Sequence, residues 1–135
     1  MVPVTSPAFD EEQILAATGL VLDWDLDGSS LPPVDEALGL VEQFTTFGRD
    51  LAGDLRDLCL GLPDDSRVGQ AAHVTLGEAS GRLYLPPPAG TPRAAAHRAQ
   101  NLARLFEALL RAVEAVSNER DRTGRHQHSA AKGIR

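Results

Sequence analysis

Between Ala37 and Leu62 the apolar residues recur at spacings of three and four: Ala37, Leu40, Phe44, Phe47, Leu51, Leu55, Leu58 and Leu62. An α-helix turns once in about 3.6 residues, so this spacing gathers all of them onto one stripe, which a strand cannot do. A second run repeats the pattern at Ala95, Ala99, Leu102, Phe106, Leu109, Val113 and Val116. Two long rods, each with one apolar stripe, must bury those stripes against other helices. The ends are marked as clearly as the interiors. "GLP" at 61–63 supplies a glycine and a proline stop, and "PPPAGTP" at 86–92 places Thr91 as a cap before Pro92 at the first helical position. The expected long helices are 34–60 and 92–117.

The remaining segments are shorter. Asp10 stands as an N-cap before Glu11 and Glu12, and Ile14, Thr18 and Val21 share a stripe, which predicts a first helix over 11–22. Segment 64–85 reads two ways. Val68, Ala72, Thr75, Ala79 and Leu83 make a thin helical stripe, while "HVTL" and "RLYL" around "GEASG" could pair as a hairpin. Helix is preferred, because a lone hairpin has no sheet to join. Residues 1–9 read as a flexible arm and 118–135, without apolar repeat, as a disordered basic tail. The expected fold is therefore all-α: an antiparallel bundle of about four helices forming one domain over 10–117. The alternative is a helical hairpin that completes its core by dimerising.

Charge divides along the chain. Residues 1–81 carry 15 acids and 3 Arg, whereas 82–135 carry 10 basic residues and 4 acids. Such halves either neutralise each other or offer a basic surface to nucleic acid. On the second long helix Arg93, Arg104 and Arg111 share a face with Glu107 and Glu114, and Glu107 precedes Arg111 at the favourable i, i+4 spacing. That is a salt-bridged solvent face, so a nucleic-acid role is not expected. Arg120, Arg122, Arg125, Lys132 and Arg135 would add only weak, salt-sensitive contact. Cys59 is the only cysteine, the start "MVPVTSPAFDEE" has no basic and apolar leader pattern, and no apolar run approaches a membrane span. A soluble cytoplasmic protein is expected.

Chemical motifs are few. "DWDLDGSSLPPV" opens like a calcium loop, with Asp23, Asp25, Asp27 and Gly28 in register, but Val34 stands where the bidentate glutamate belongs. It reads as an acidic linker. Asp50, Asp54 and Asp57 line one flank of a helix with no His or Glu at ligand spacing, and read as a solvated face. His73, His97, His126 and His128 are dispersed, and Cys59 at the seam reads as a core thiol. There is no nucleophile elbow and no phosphate-binding glycine loop. No catalytic, cofactor-binding or metal-ligating residue is assigned, and no cofactor is expected.

The stretch "LPDDSRVGQAAHVTLGEASGRLYLPPPAGTPRAAAHRAQNLARLFEALLRAVE" resembles an actinobacterial family of small helical proteins of unknown function, often labelled natural product biosynthesis proteins. The resemblance spans about residues 11–117. It is carried by the "LP" stop, by "GEASGRL" against the family's GEA-x-x-RL, and by the Arg/Ala/Leu pattern of "RAQNLARLFEALLRAVE". It implies helix for the third segment and brings no catalytic residue. The chain lacks the Cys-Asp-His-Tyr-Glu ending of many relatives, and "LLRAVEAV" runs on instead.

Taken together these features predict a protein that works by binding, an accessory or regulatory partner more than an enzyme. A protein partner or self-association is expected. Gly48, Gly53 and the small side chains of the third helix leave room for a small-molecule cleft as the alternative. An enzyme of specialised metabolism is the third reading.

Overall fold

The structure, a computed structural model, describes the backbone of residues 11–28 and 30–133 and the side chains of residues 12–28 and 30–124. The expected N-terminal arm and the Asp10 cap lie outside the described residues. Four helices follow one another: α1 (Glu11–Leu22), α2 (Val34–Cys59), α3 (Arg67–Arg82) and α4 (Pro92–Gly133), with no strand among the described residues. The all-α, four-helix architecture is thus as expected, and segment 64–85 is helix and not hairpin. Ser66, which pattern reading passed over, is the reason α3 starts where it does. Its hydroxyl accepts from the Gly69 N–H at 3.1 Å and satisfies one of the orphan donors of the first turn.

The described residues gather into two compact units, and α2 and α4 each contribute to both. The first joins the chain up to Phe47 with Leu85–Glu107. Its centre is Ile14, Thr18 and Val21 of α1, Ala37 and Phe44 of α2, and Ala95, Ala99, Leu102 and Phe106 of α4, all buried. Phe44 and Phe47 both meet the Phe106 ring, at centroid distances of 6.3 and 6.5 Å, the second edge-on. Such offset contacts add to plain burial. Gln100 is the polar member of this interior, 5% exposed. Its Nε2 donates to the Val21 carbonyl at 3.0 Å and the Trp24 carbonyl at 2.8 Å, and so closes the C-terminal end of α1.

The second unit joins Gly48–Tyr84 with the chain from Ala108. Here α3 folds back along α2, so that Leu83, just past the end of α3, returns to Gly48. A Cβ at Gly48 would stand 2.7 Å from Leu83 Cδ2. Arg49 donates from Nε and Nη2 to the Leu83 carbonyl at 3.2 and 2.7 Å and lies 4.3 Å over the Tyr84 ring. A cation at a helix C-terminus meets the negative end of the helix dipole. Leu55, Leu76, Ala79, Leu109 and Val116 complete this interior.

The boundary of α4 differs from the expected one. Helical backbone continues past residue 117, the expected end of the helix, through Gly133. Beyond Asn118 there is no proline, and Glu, Arg, Gln and Ala all favour helix. Arg122 pairs with Glu119 one turn earlier at 2.8 Å. An apolar stripe is needed to dock a helix, not to continue one.

Two stability experiments follow from these contacts. Gln100→Met keeps the volume but removes the donor to the Trp24 carbonyl and leaves the Val21 carbonyl with the Trp24 N–H at 3.2 Å alone, so the urea midpoint should drop by the equivalent of about 1–3 kcal/mol. At the glycines the contrast is one of sign. Nothing lies within 4 Å of a Cβ at Gly53, so Gly53→Ala should stabilise α2 by about 0.5–1 kcal/mol. Gly48→Ala must displace Leu83, itself 3% exposed, and should give no gain or a loss of about 1 kcal/mol.

Candidate functional site

The acidic linker is built into the first unit as a turn. Asp25 Oδ1 accepts from the Asp27 N–H at 3.0 Å, and the Gly28 N–H donates to the Asp25 carbonyl at 3.2 Å. Asp27 in turn receives Arg93 Nη2 at 2.8 Å, both side chains being largely exposed. An exposed pair of this kind contributes little stability but fixes the loop against the start of α4. Two of the three aspartates therefore have partners in the protein, and among the described residues no group of three or more His, Cys, Asp or Glu is placed to hold a metal ion.

The other residues singled out in the sequence are not brought together. Asp50, Asp54 and Asp57 are exposed on α2, and none joins a salt bridge among the described residues. His73 and His97 are exposed, and the side chains of His126 and His128 lie outside the described residues. Cys59 is buried, and burial pushes its thiol up from the ordinary value. Arg104 and Arg111 are exposed on α4. Arg120 lies against Gly61, where a Cβ would meet its Nε at 2.7 Å, so this guanidinium covers the turn that ends α2.

Two of the surface depressions are lined by described residues. One, in the first unit, opens beside the start of α4 and has a volume of about 440 Å³. Its basic groups are partly committed: Arg93 to Asp27, and Arg98 through Nη1 to the Pro86 carbonyl at 2.8 Å. The other lies between α3 and α4 within the second unit, with a volume of about 450 Å³. Its walls are short side chains, Ala71, Ala72 and Thr75 on α3 and Ala108, Ala112 and Ala115 on α4. Arg67 and Arg111 also line it; both are exposed and neither forms a salt bridge among the described residues.

This second groove is open to solvent, and no acidic residue lines it among the described residues. Alanine walls let another backbone approach closely, and two free guanidinium groups favour an acidic occupant. The thin stripe of α3 was legible in the sequence. Its pairing with Ala108, Ala112 and Ala115 was not, since those positions fall outside the apolar stripe of α4.

Fold and groove together define a small all-α protein with an open, arginine-flanked furrow between two helices. Residues 12–118 match the family described as "Family of unknown function (DUF6415)", and the chain belongs to that family. The match begins in α1 and ends within α4, so it takes in both units and the groove. No curated protein and no solved structure matches the chain. No helix among the described residues is long and apolar enough to cross a membrane.

The buried thiol yields a pH experiment. Desolvation raises the Cys59 pKa in the folded state, so the stability held by the neutral thiol is present below the ordinary value and is lost as pH rises beyond it. Alkylation at pH 8 should be at least about tenfold slower in the native protein than in urea, as a buried thiol is both protonated and inaccessible. Equal rates would show Cys59 to be open to solvent.

Proposed function

We propose that this protein is a non-enzymatic accessory or regulatory component that acts by binding another protein, and that the α3–α4 groove is its docking surface. The observation that carries this reading is the groove's composition: alanine walls beside two arginines that form no salt bridge among the described residues. Recognition of an amphipathic helix uses an apolar furrow of this kind, with charged residues at its edge fixing register. The groove encloses little of its contents, whereas a pocket for a small ligand surrounds most of its surface. That favours a protein partner over a metabolite. The resemblance carried by "GEASGRL" and "RAQNLARLFEALLRAVE" supports an actinobacterial setting and a place beside natural product biosynthesis. The lone cysteine supports a reducing, cytoplasmic location.

Capture from the producing cells tests this. The tagged full chain should recover a stoichiometric protein, and Ala71→Trp with Ala115→Trp, both at exposed groove positions, should lose it at least about tenfold. Melting shifts with a metabolite and no groove-dependent partner would instead establish the small-molecule reading.

A further inference from the structure

We propose that the groove between α3 and α4 takes helix α1 of a second copy of this chain. The inference rests on the docking reading above and names its occupant.

The argument starts from the outer face of α1. Ile14, Thr18 and Val21 are buried on one side of this helix. At 100° per residue the opposite side presents Glu12, Ala16, Gly19 and Asp23 as one strip, all exposed. Leu15 and Leu20 flank the strip and are 45% and 58% exposed. The two leucines stand on either side of the strip, about 140° apart at 100° per residue, with the small residues Ala16 and Gly19 between them. No described residue comes within 4 Å of a Cβ built at Gly19, so among the described residues none covers this point of the face. A glycine inside a helix costs about 1 kcal/mol relative to alanine, and a close backbone neighbour is one condition that offsets the cost.

The groove and the helix face are complementary in shape and charge. Small residues stand on both, Ala16 and Gly19 on α1 and Ala71, Ala112 and Ala115 in the groove, which allows axes to approach at the short end of the usual 8–10 Å range. The helix carries an acid at each end of its strip, Glu12 and Asp23, and the groove carries Arg67 and Arg111. None of these four side chains forms a salt bridge among the described residues. Leu15 and Leu20 then leave water as the groove fills. A single helix in a single furrow buries less than a standard interface, so the association is weak and depends on concentration and salt.

Sedimentation velocity on the full chain, from a few micromolar to several hundred, reads the proposal directly. The weight-average sedimentation coefficient should rise with concentration, and added salt should suppress the rise. Arg67→Glu with Arg111→Glu should abolish it, and so should Glu12→Arg with Asp23→Arg. Mixing these two charge-reversed proteins should restore association, because each groove then faces a helix of opposite sign. Circular dichroism and melting confirm that each variant is folded. Gly19→Leu supplies an independent check, since it strengthens the isolated helix yet blocks close approach, and should also remove self-association. A monomer at every concentration overturns the proposal, as does association indifferent to both reversals or a mixture that stays monomeric. Were the groove tryptophans to lose a captured protein while sedimentation stayed unchanged, the occupant would be another protein's helix. This inference would then fall and the docking reading would stand. If neither capture nor sedimentation depended on the groove, both would fall.

Discussion

A helix leaves its last carbonyls without partners, and both short helices of this protein solve that problem with a side chain from a long one. At the end of α1 the buried amide of Gln100 bridges the carbonyls of Val21 and Trp24. At the end of α3 the guanidinium of Arg49 takes the carbonyl of Leu83 through two nitrogens. An unpaired buried carbonyl costs more than a made hydrogen bond contributes, so these contacts decide where each short helix stops against its neighbour. Apolar stripes alone slide along one another at little cost. A carbonyl that must meet one amide or one guanidinium does not, and register follows from it.

The groove is a consequence of what is packed in the second unit. Facing positions on α3 and α4 carry alanine and threonine where larger side chains would interdigitate and fill the space to native density. Ala72, Leu76 and Ala79 of α3 are buried, and Gly48 lets Leu83 close over α2. The interior is therefore satisfied without the outer shoulder of α3, and that shoulder is left short. A furrow between two well-held helices does not collapse, because the contacts that fix it lie on the other side of α3.

Much of this was legible in the sequence. The stripes gave four helices, and Ile14, Val21, Phe44, Leu55, Leu102, Phe106 and Leu109 are buried as their spacing required. What escaped reading was polar or small. Gln100, between Ala99 and Leu102, looks like an outward residue, because hydrophobic periodicity assigns polar groups to solvent and cannot see a carbonyl end approaching from 76 residues away. Arg49 escaped for the same reason. Ala96 and Ala103, fully buried, widen the covered face of α4 beyond the expected stripe, since alanine reports helix propensity more strongly than burial. The extension of α4 was missed because the pattern looked for a docked face, and Glu119 with Arg122 sustains helix without one.

Charge connects the sequence to the surface chemistry. An acidic first half and a basic second half suggest mutual neutralisation within one chain, and Arg93 with Asp27 is such a pair. Most other opposite charges do not meet this way. The salt bridges of Arg82 with Glu78 and Arg122 with Glu119 are local to one helix, while Arg67, Arg111, Glu12 and Asp23 have no ion-pair partner among the described residues. A charge division that the fold leaves largely unused inside the molecule remains available between molecules. Arg67 and Arg111 sit beside the alanine-walled furrow of the second unit, and Glu12 and Asp23 bracket the exposed face of α1. That coincidence of unspent charge with short apolar side chains is the observation on which the proposed docking face rests.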